Sequence, residues 1–109
     1  MATEALLESS PEAVPDQGVL LYIHKLMEQD GRFPFRCSKF YVDCGARTSL
    51  DSHAVCELWF IASGDVAVYI EGQSHAAAAG DVVRFKPWQK HFMVNTGAST
   101  ALIFSVWWS

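Results

Sequence analysis

The chain has 109 residues, half of them apolar, and a formal net charge of −4 from 12 acidic and 8 basic residues. That length supports one core and leaves no room for a second. The charge balance, with no Lys/Arg run, gives no footprint for a phosphate backbone, so nucleic acid is not an expected partner. No apolar run approaches the roughly 18 to 20 residues of a membrane helix, so no membrane association is expected. The first 17 residues are polar and contain Pro11 and Pro15, with "TEALLE" able to make at most a turn or two of helix before the prolines. They read as a flexible arm, 1–17, ahead of one domain, 18–109. The acidic N-terminal stretch lacks a charged-then-apolar signal pattern, which predicts a cytoplasmic protein. Cys37, Cys44 and Cys56 are odd in number and have no CxxC spacing, so they read as reduced thiols.

From residue 18 the chain becomes a series of β-branched and aromatic runs: "VLLYIHKLM", "FRCSKFYVD", "VCELWFIA", "VAVYIE", "VVRFK", "HFMVN" and "ALIFSVWW". Turn signals such as "DCGAR", "SGD", "EGQ", "AAGD" and "NTGAS" separate them. This pattern predicts an all-β sandwich or barrel. The alanines at 76–79 are too few to nucleate a helix and read as loop or strand edge. His24 and His75 read as ordinary surface or edge residues.

The stretch "GARTSLDSHAVCELWFIASG", residues 45–64, carries the chemistry. On a strand, Asp51, His53, Val55, Glu57, Trp59 and Ile61 would share one face, with Cys56 turned away from it. Buried carboxylates and imidazoles are costly unless paired, hydrogen-bonded or bound to a cation. His53 and Glu57 alone would suit a metal-free hydrogen-bonded pair, and His91 a core histidine. Two imidazoles and a carboxylate converging from separate strands suit a first-row divalent ion better than calcium.

Two spaced blocks sharpen this. Gly45 is followed by Asp51, His53, Glu57 and Gly64, and Gly80 by Pro87, His91 and Asn95. Together they resemble the motifs of the cupin superfamily, G-x5-H-x-H-x3,4-E-x6-G and G-x5-P-x-G-x2-H-x3-N, over residues 45–95. Asp51 stands where the family has its first histidine, Pro87 comes one place late, and Gln89 falls where a glycine is expected. The resemblance implies a double-stranded β-helix, or jelly-roll barrel, with a metal held by His53, Glu57, His91 and Asp51. Fe(II) is favoured, with Mn, Ni or Zn as alternatives. Asp51 is either a ligand, a residue that orients His53, or a free general base. Trp59 and Met93 are candidate pocket walls, joined by Asn95, whose alternative role is structural.

A fold does not name a reaction. The leading expectation is a non-haem oxygenase acting on a small molecule that chelates the metal through oxygens. The alternatives are a Lewis-acid isomerase, cyclase or lyase, and a non-catalytic small-molecule binder. The apolar content of "ALIFSVWWS" and "VLLYIHKLM" predicts a homodimer.

Overall fold

A computed structural model describes residues 12–23 and 31–109. Among them are nine strands and no helix: β1 (Glu12–Asp16), β2 (Val19–Ile23), β3 (Arg36–Val42), β4 (Cys56–Ser63), β5 (Asp65–Ile70), β6 (Gln73–Ala78), β7 (Val82–Phe85), β8 (His91–Asn95) and β9 (Ala101–Trp108). All strand pairings are antiparallel. They make a six-stranded sheet, β1-β2-β3-β9-β4-β7, and a three-stranded sheet, β6-β5-β8. This is the expected jelly-roll architecture.

Period-two alternation determines which side chains meet. Ser38, Phe40 and Val42 of β3, Glu57, Trp59 and Ile61 of β4, and Ala101, Ile103 and Ser105 of β9 are buried on the inner face of the larger sheet. Val66 and Val68 of β5 and His91, Met93 and Asn95 of β8 are buried on the smaller one. Each large apolar side chain so buried contributes roughly 1.5–3 kcal/mol. Cross-strand register sets rows on the larger sheet: Ser38 opposite Ser105, itself opposite Trp59, and next to that row Trp107 opposite Glu57, opposite Phe85.

The β4–β5 corner requires a glycine. Gly64 has φ +101°, and a Cβ there would lie 2.8 Å from the Ala101 Cβ and 2.9 Å from its Cα. Any other residue would therefore be strained at this φ and would have to displace the start of β9 at Ala101.

Several expectations need correcting. Residues 12–16 belong to the sheet and not to an arm: β1 pairs with β2 over its full length, because Pro15 sits on an edge strand. The remainder of the arm, including "TEALLE", lies outside the described residues, as do His24 to Met27. Two other expectations hold: His75 is an exposed position on an edge strand, β6, and Ala76 to Ala78 end that strand. Asp51, His53 and Val55 do not share a strand with Glu57, since β4 begins at Cys56. Residues 45–51 instead run beside β8, with hydrogen bonds from Thr48 N to Met93 O (2.9 Å), Asp51 N to His91 O (3.0 Å) and His91 N to Asp51 O (2.9 Å).

Candidate metal centre

His91 opens β8 and is 2% exposed, packed between the Phe85 ring (4.1 Å between centroids, nearly parallel) and the edges of Trp59 and His53. The backbone bridge to Asp51 brings that residue to the same end of the barrel. His53 arrives from the following loop, which is clasped from the other side: Trp88 N donates to His53 O (2.7 Å) and Ser52 Oγ donates to Trp88 O (2.9 Å). One potential ligand atom from each of Asp51, His53 and His91 lies within 4.8 Å of the others. Glu57 Oε1 is 2.8 Å from His53 Nε2 and 3.3 Å from His91 Nε2, while Asp51 Oδ2 is 4.0 Å from His53 Nε2. The structure thus brings together all four residues that the sequence singles out.

The donor chemistry distinguishes this cluster from an ordinary buried pair. His53 Nδ1 faces the carbonyl of Val55 (3.2 Å) and His91 Nδ1 that of Gln89 (2.8 Å). A carbonyl only accepts, so both Nδ1 atoms carry hydrogen, and each neutral ring turns its Nε2 lone pair toward the cluster. Glu57 Oε1 is also a lone-pair donor. Three such atoms facing one another need a cation between them, either protons or a metal ion. The other carboxylate oxygen, Oε2, is already occupied: Trp59 Nε1 donates to it at 3.0 Å and Ser105 Oγ donates in a short hydrogen bond. Glu57 is therefore fixed with one oxygen aimed at the two imidazoles.

Electrostatics follow from this packing. Burial works to raise the Glu57 pKa, but hydrogen bonds from His91, Ser105, Trp59 and His53 outweigh it and hold the pKa below its ordinary 4.5. Burial alone would lower His91, but its bonds to Glu57 and to the Gln89 carbonyl, with the nearby charges of Glu57 and Asp51, lift it above 6.5. The site is built to hold positive charge.

A cavity of about 530 Å³ opens onto the cluster, walled by Leu21, Phe40, Leu50, Val55, Trp59 and Trp107 among others. Its size falls within the usual small-molecule range of roughly 300–1,000 Å³. Trp59 lines it as expected; Met93 and Asn95 do not. Met93 is fully buried beneath the floor, and the Asn95 amide donates to Val42 O (2.9 Å) and Ser99 O (2.8 Å), tying strand ends together.

A family model for the cupin domain matches residues 39–107. The chain belongs to the cupin family. Solved structures agree on the fold. A Cupin 2 conserved barrel domain protein from Salinispora arenicola is 24% identical, with TM-score 0.81 over 100% of this chain and 91% of that one. A predicted oxalate decarboxylase from Thermotoga maritima is 20% identical, with TM-score 0.75 over 90% of each chain. The cupin domain of an XRE family transcriptional regulator from Enterobacter cloacae is 20% identical, with TM-score 0.73 over 85% of this chain and 98% of that one.

Within this cupin the second motif's glycine position is Trp88 and not Gln89, because the motif's spacing from Gly80 lands on Trp88. The residue in the left-handed conformation is Trp88, φ 66°, and not Gln89; counted back from His91, Trp88 holds the place of the motif's glycine. Sequence reasoning also passed over Ser105. The available signal was a lone polar residue on the inward parity of an otherwise apolar strand.

Proposed function

We propose that this cupin is a metal-dependent enzyme for a small organic molecule, with His53, Glu57 and His91 as ligands and Asp51 as a fourth. The observation that carries the reading is the convergence of the two Nε2 lone pairs on Glu57 Oε1. When bound, a first-row divalent ion supplies Lewis acidity and, in the case of iron, electrons for dioxygen. The protein's part is orientation and exclusion of water. Ser105 and Trp59 fix the carboxylate, the two carbonyls fix the imidazoles, and the apolar walls seat a substrate whose oxygens face the cluster. Oxygenase chemistry fits best, because the cluster leaves room on its cavity side and is bordered by apolar side chains. The cytoplasm is the proposed compartment.

A second reading has a specific observation behind it. Asp51 is 64% exposed at its side chain, its Oδ1 accepts from Ser52 N, and no hydrogen bond among the described residues holds Oδ2. A carboxylate so placed can take a proton from carbon beside a polarised carbonyl, the step an isomerase, cyclase or lyase requires. The regulator's cupin domain among the related structures supports a third, a binder without turnover.

Elemental analysis of protein purified without added metal tests the site. Near-stoichiometric metal is expected, falling to a small fraction in His53→Ala and His91→Ala; equal content in all three would refute the ligand set. Oxygen uptake by the metal-loaded protein with chelating diketones and catechols then separates the chemistries. Uptake supports oxygenation, whereas anaerobic turnover assigns the proton-transfer role to Asp51.

A further inference from the structure

Four hydroxyl side chains line the cavity, and three are engaged. Thr48 Oγ1 accepts from Met93 N (2.8 Å), Ser49 Oγ donates to Asp16 Oδ2 (3.3 Å), and Ser105 donates to Glu57. Ser38 is the exception. It is 4% exposed, on the inner face of β3 two residues from Phe40, and its hydroxyl has no hydrogen-bond partner among the described residues. Among the described residues no buried side-chain oxygen lacks a partner, so the Ser38 oxygen keeps its opening onto the cavity.

A serine there has no packing rationale. The inner face of a central strand favours branched or aromatic side chains, and a near-buried hydroxyl costs free energy unless it finds a partner. Ser105 repays that cost by holding Glu57; Ser38, directly opposite it in the sheet, does not. Water can serve the hydroxyl, and a ligand that displaces such a water must replace its hydrogen bond.

Ser38 also lies at a defined remove from the metal cluster. It is one strand beyond Ser105, roughly 4.8 Å, and Ser105 touches the Glu57 carboxylate. We propose that Ser38 is a specificity-determining residue that hydrogen-bonds a neutral hydroxyl or carbonyl group on the substrate. The substrate is then a small molecule with two chelating oxygens at one end, an apolar middle, and a neutral hydrogen-bonding group at the other end. This rests on the proposed metal centre and adds what the substrate must carry besides its chelating head.

Kojic acid and allomaltol make a matched pair of probes. They share one chelating hydroxy-ketone on the same ring and differ only in a hydroxymethyl or a methyl group on its far side. Each is titrated calorimetrically into metal-loaded wild type and Ser38→Ala. Wild type should prefer kojic acid by about tenfold, the equivalent of ~1.4 kcal/mol, and Ser38→Ala should bind the two within about twofold. Ser38→Thr and Ser38→Val repeat the comparison at constant shape: threonine should keep the preference and valine lose it. A ratio unchanged by removing the hydroxyl, or no preference in wild type, overturns the assignment of Ser38. Failure of the metal reading looks different, because elemental analysis then shows no uptake and neither probe distinguishes loaded from metal-free protein.

Discussion

Ser105 and Trp59 never need to touch a substrate to matter, because together they hold one Glu57 oxygen and so aim the other. Removing the serine hydroxyl should let the carboxylate rotate. Ser105→Ala is expected to weaken metal affinity by about 10–100-fold with little change in the fold, as read by chelator competition and circular dichroism. Protons compete for the same lone pairs. Because the folded-state pKa of His91 is raised, the proton it holds stabilises the metal-free protein fully below pH 6.5, and that contribution fades as pH rises through the raised value. The lowered pKa of Glu57 acts oppositely: its contribution is present above 4.5 and lost as pH falls through the lowered value. A metal ion held by His91 would displace its proton, so the rise in melting temperature on adding metal should grow as pH rises from below 6.5 through the raised value; a flat profile would argue against His91 as a ligand. Asp51→Asn should weaken metal retention, and Asp51→His should keep it, if Asp51 ligates; metal titrations of both variants decide. At this scale the titratable residues were legible, since their types and spacing are unusual in an apolar strand. Their partners were not, because a backbone carbonyl such as that of Gln89 leaves no mark in a sequence.

At the scale of strands and turns, alternation carried the correct parity for Glu57, Trp59 and Ile61, and "HFMVN" and "ALIFSVWW" coincide with β8 and β9. Alternation misplaced Asp51 and His53. A periodic pattern does not reveal where a strand stops, and this one stops where residues 45–51 leave to pair with β8. The turn at Trp88 is a second case. Its left-handed backbone costs roughly 1–3 kcal/mol in a bulky residue, yet its N–H and C=O clasp the His53 loop, and the residue is 66% exposed. Trp88→Gly should therefore stabilise the protein, by up to about 1 kcal/mol in urea denaturation, while metal affinity stays the same; destabilisation would mean that the indole packs on something essential. Gly64→Ala is the opposite case. With the Ala101 Cβ in the way, it should cost on the order of 2 kcal/mol or more in the same assay.

Across the whole molecule, composition and turn spacing were enough for the all-β class, but sheet order was not legible, because pairings such as β3 with β9 join segments some 65 residues apart. The outer face of the larger sheet carries Phe104, Phe60 and Val82 in one cross-strand row, each at least 39% exposed. We propose that a second copy of the chain covers this row, as the apolar C-terminal run predicts. Light scattering should give a dimer mass that Phe104→Glu reduces to that of a monomer; a monomeric wild type would refute it. The position of β9 has a consequence for synthesis. This strand lies between β3 and β4, and its Ser105 braces Glu57. A growing chain that has not yet delivered residue 105 leaves the two halves of the larger sheet unjoined and the carboxylate unsupported. On the proposed metal reading, capture of an ion comes after translation has passed that point, and a nascent chain stalled earlier should expose its histidines without being able to close around an ion.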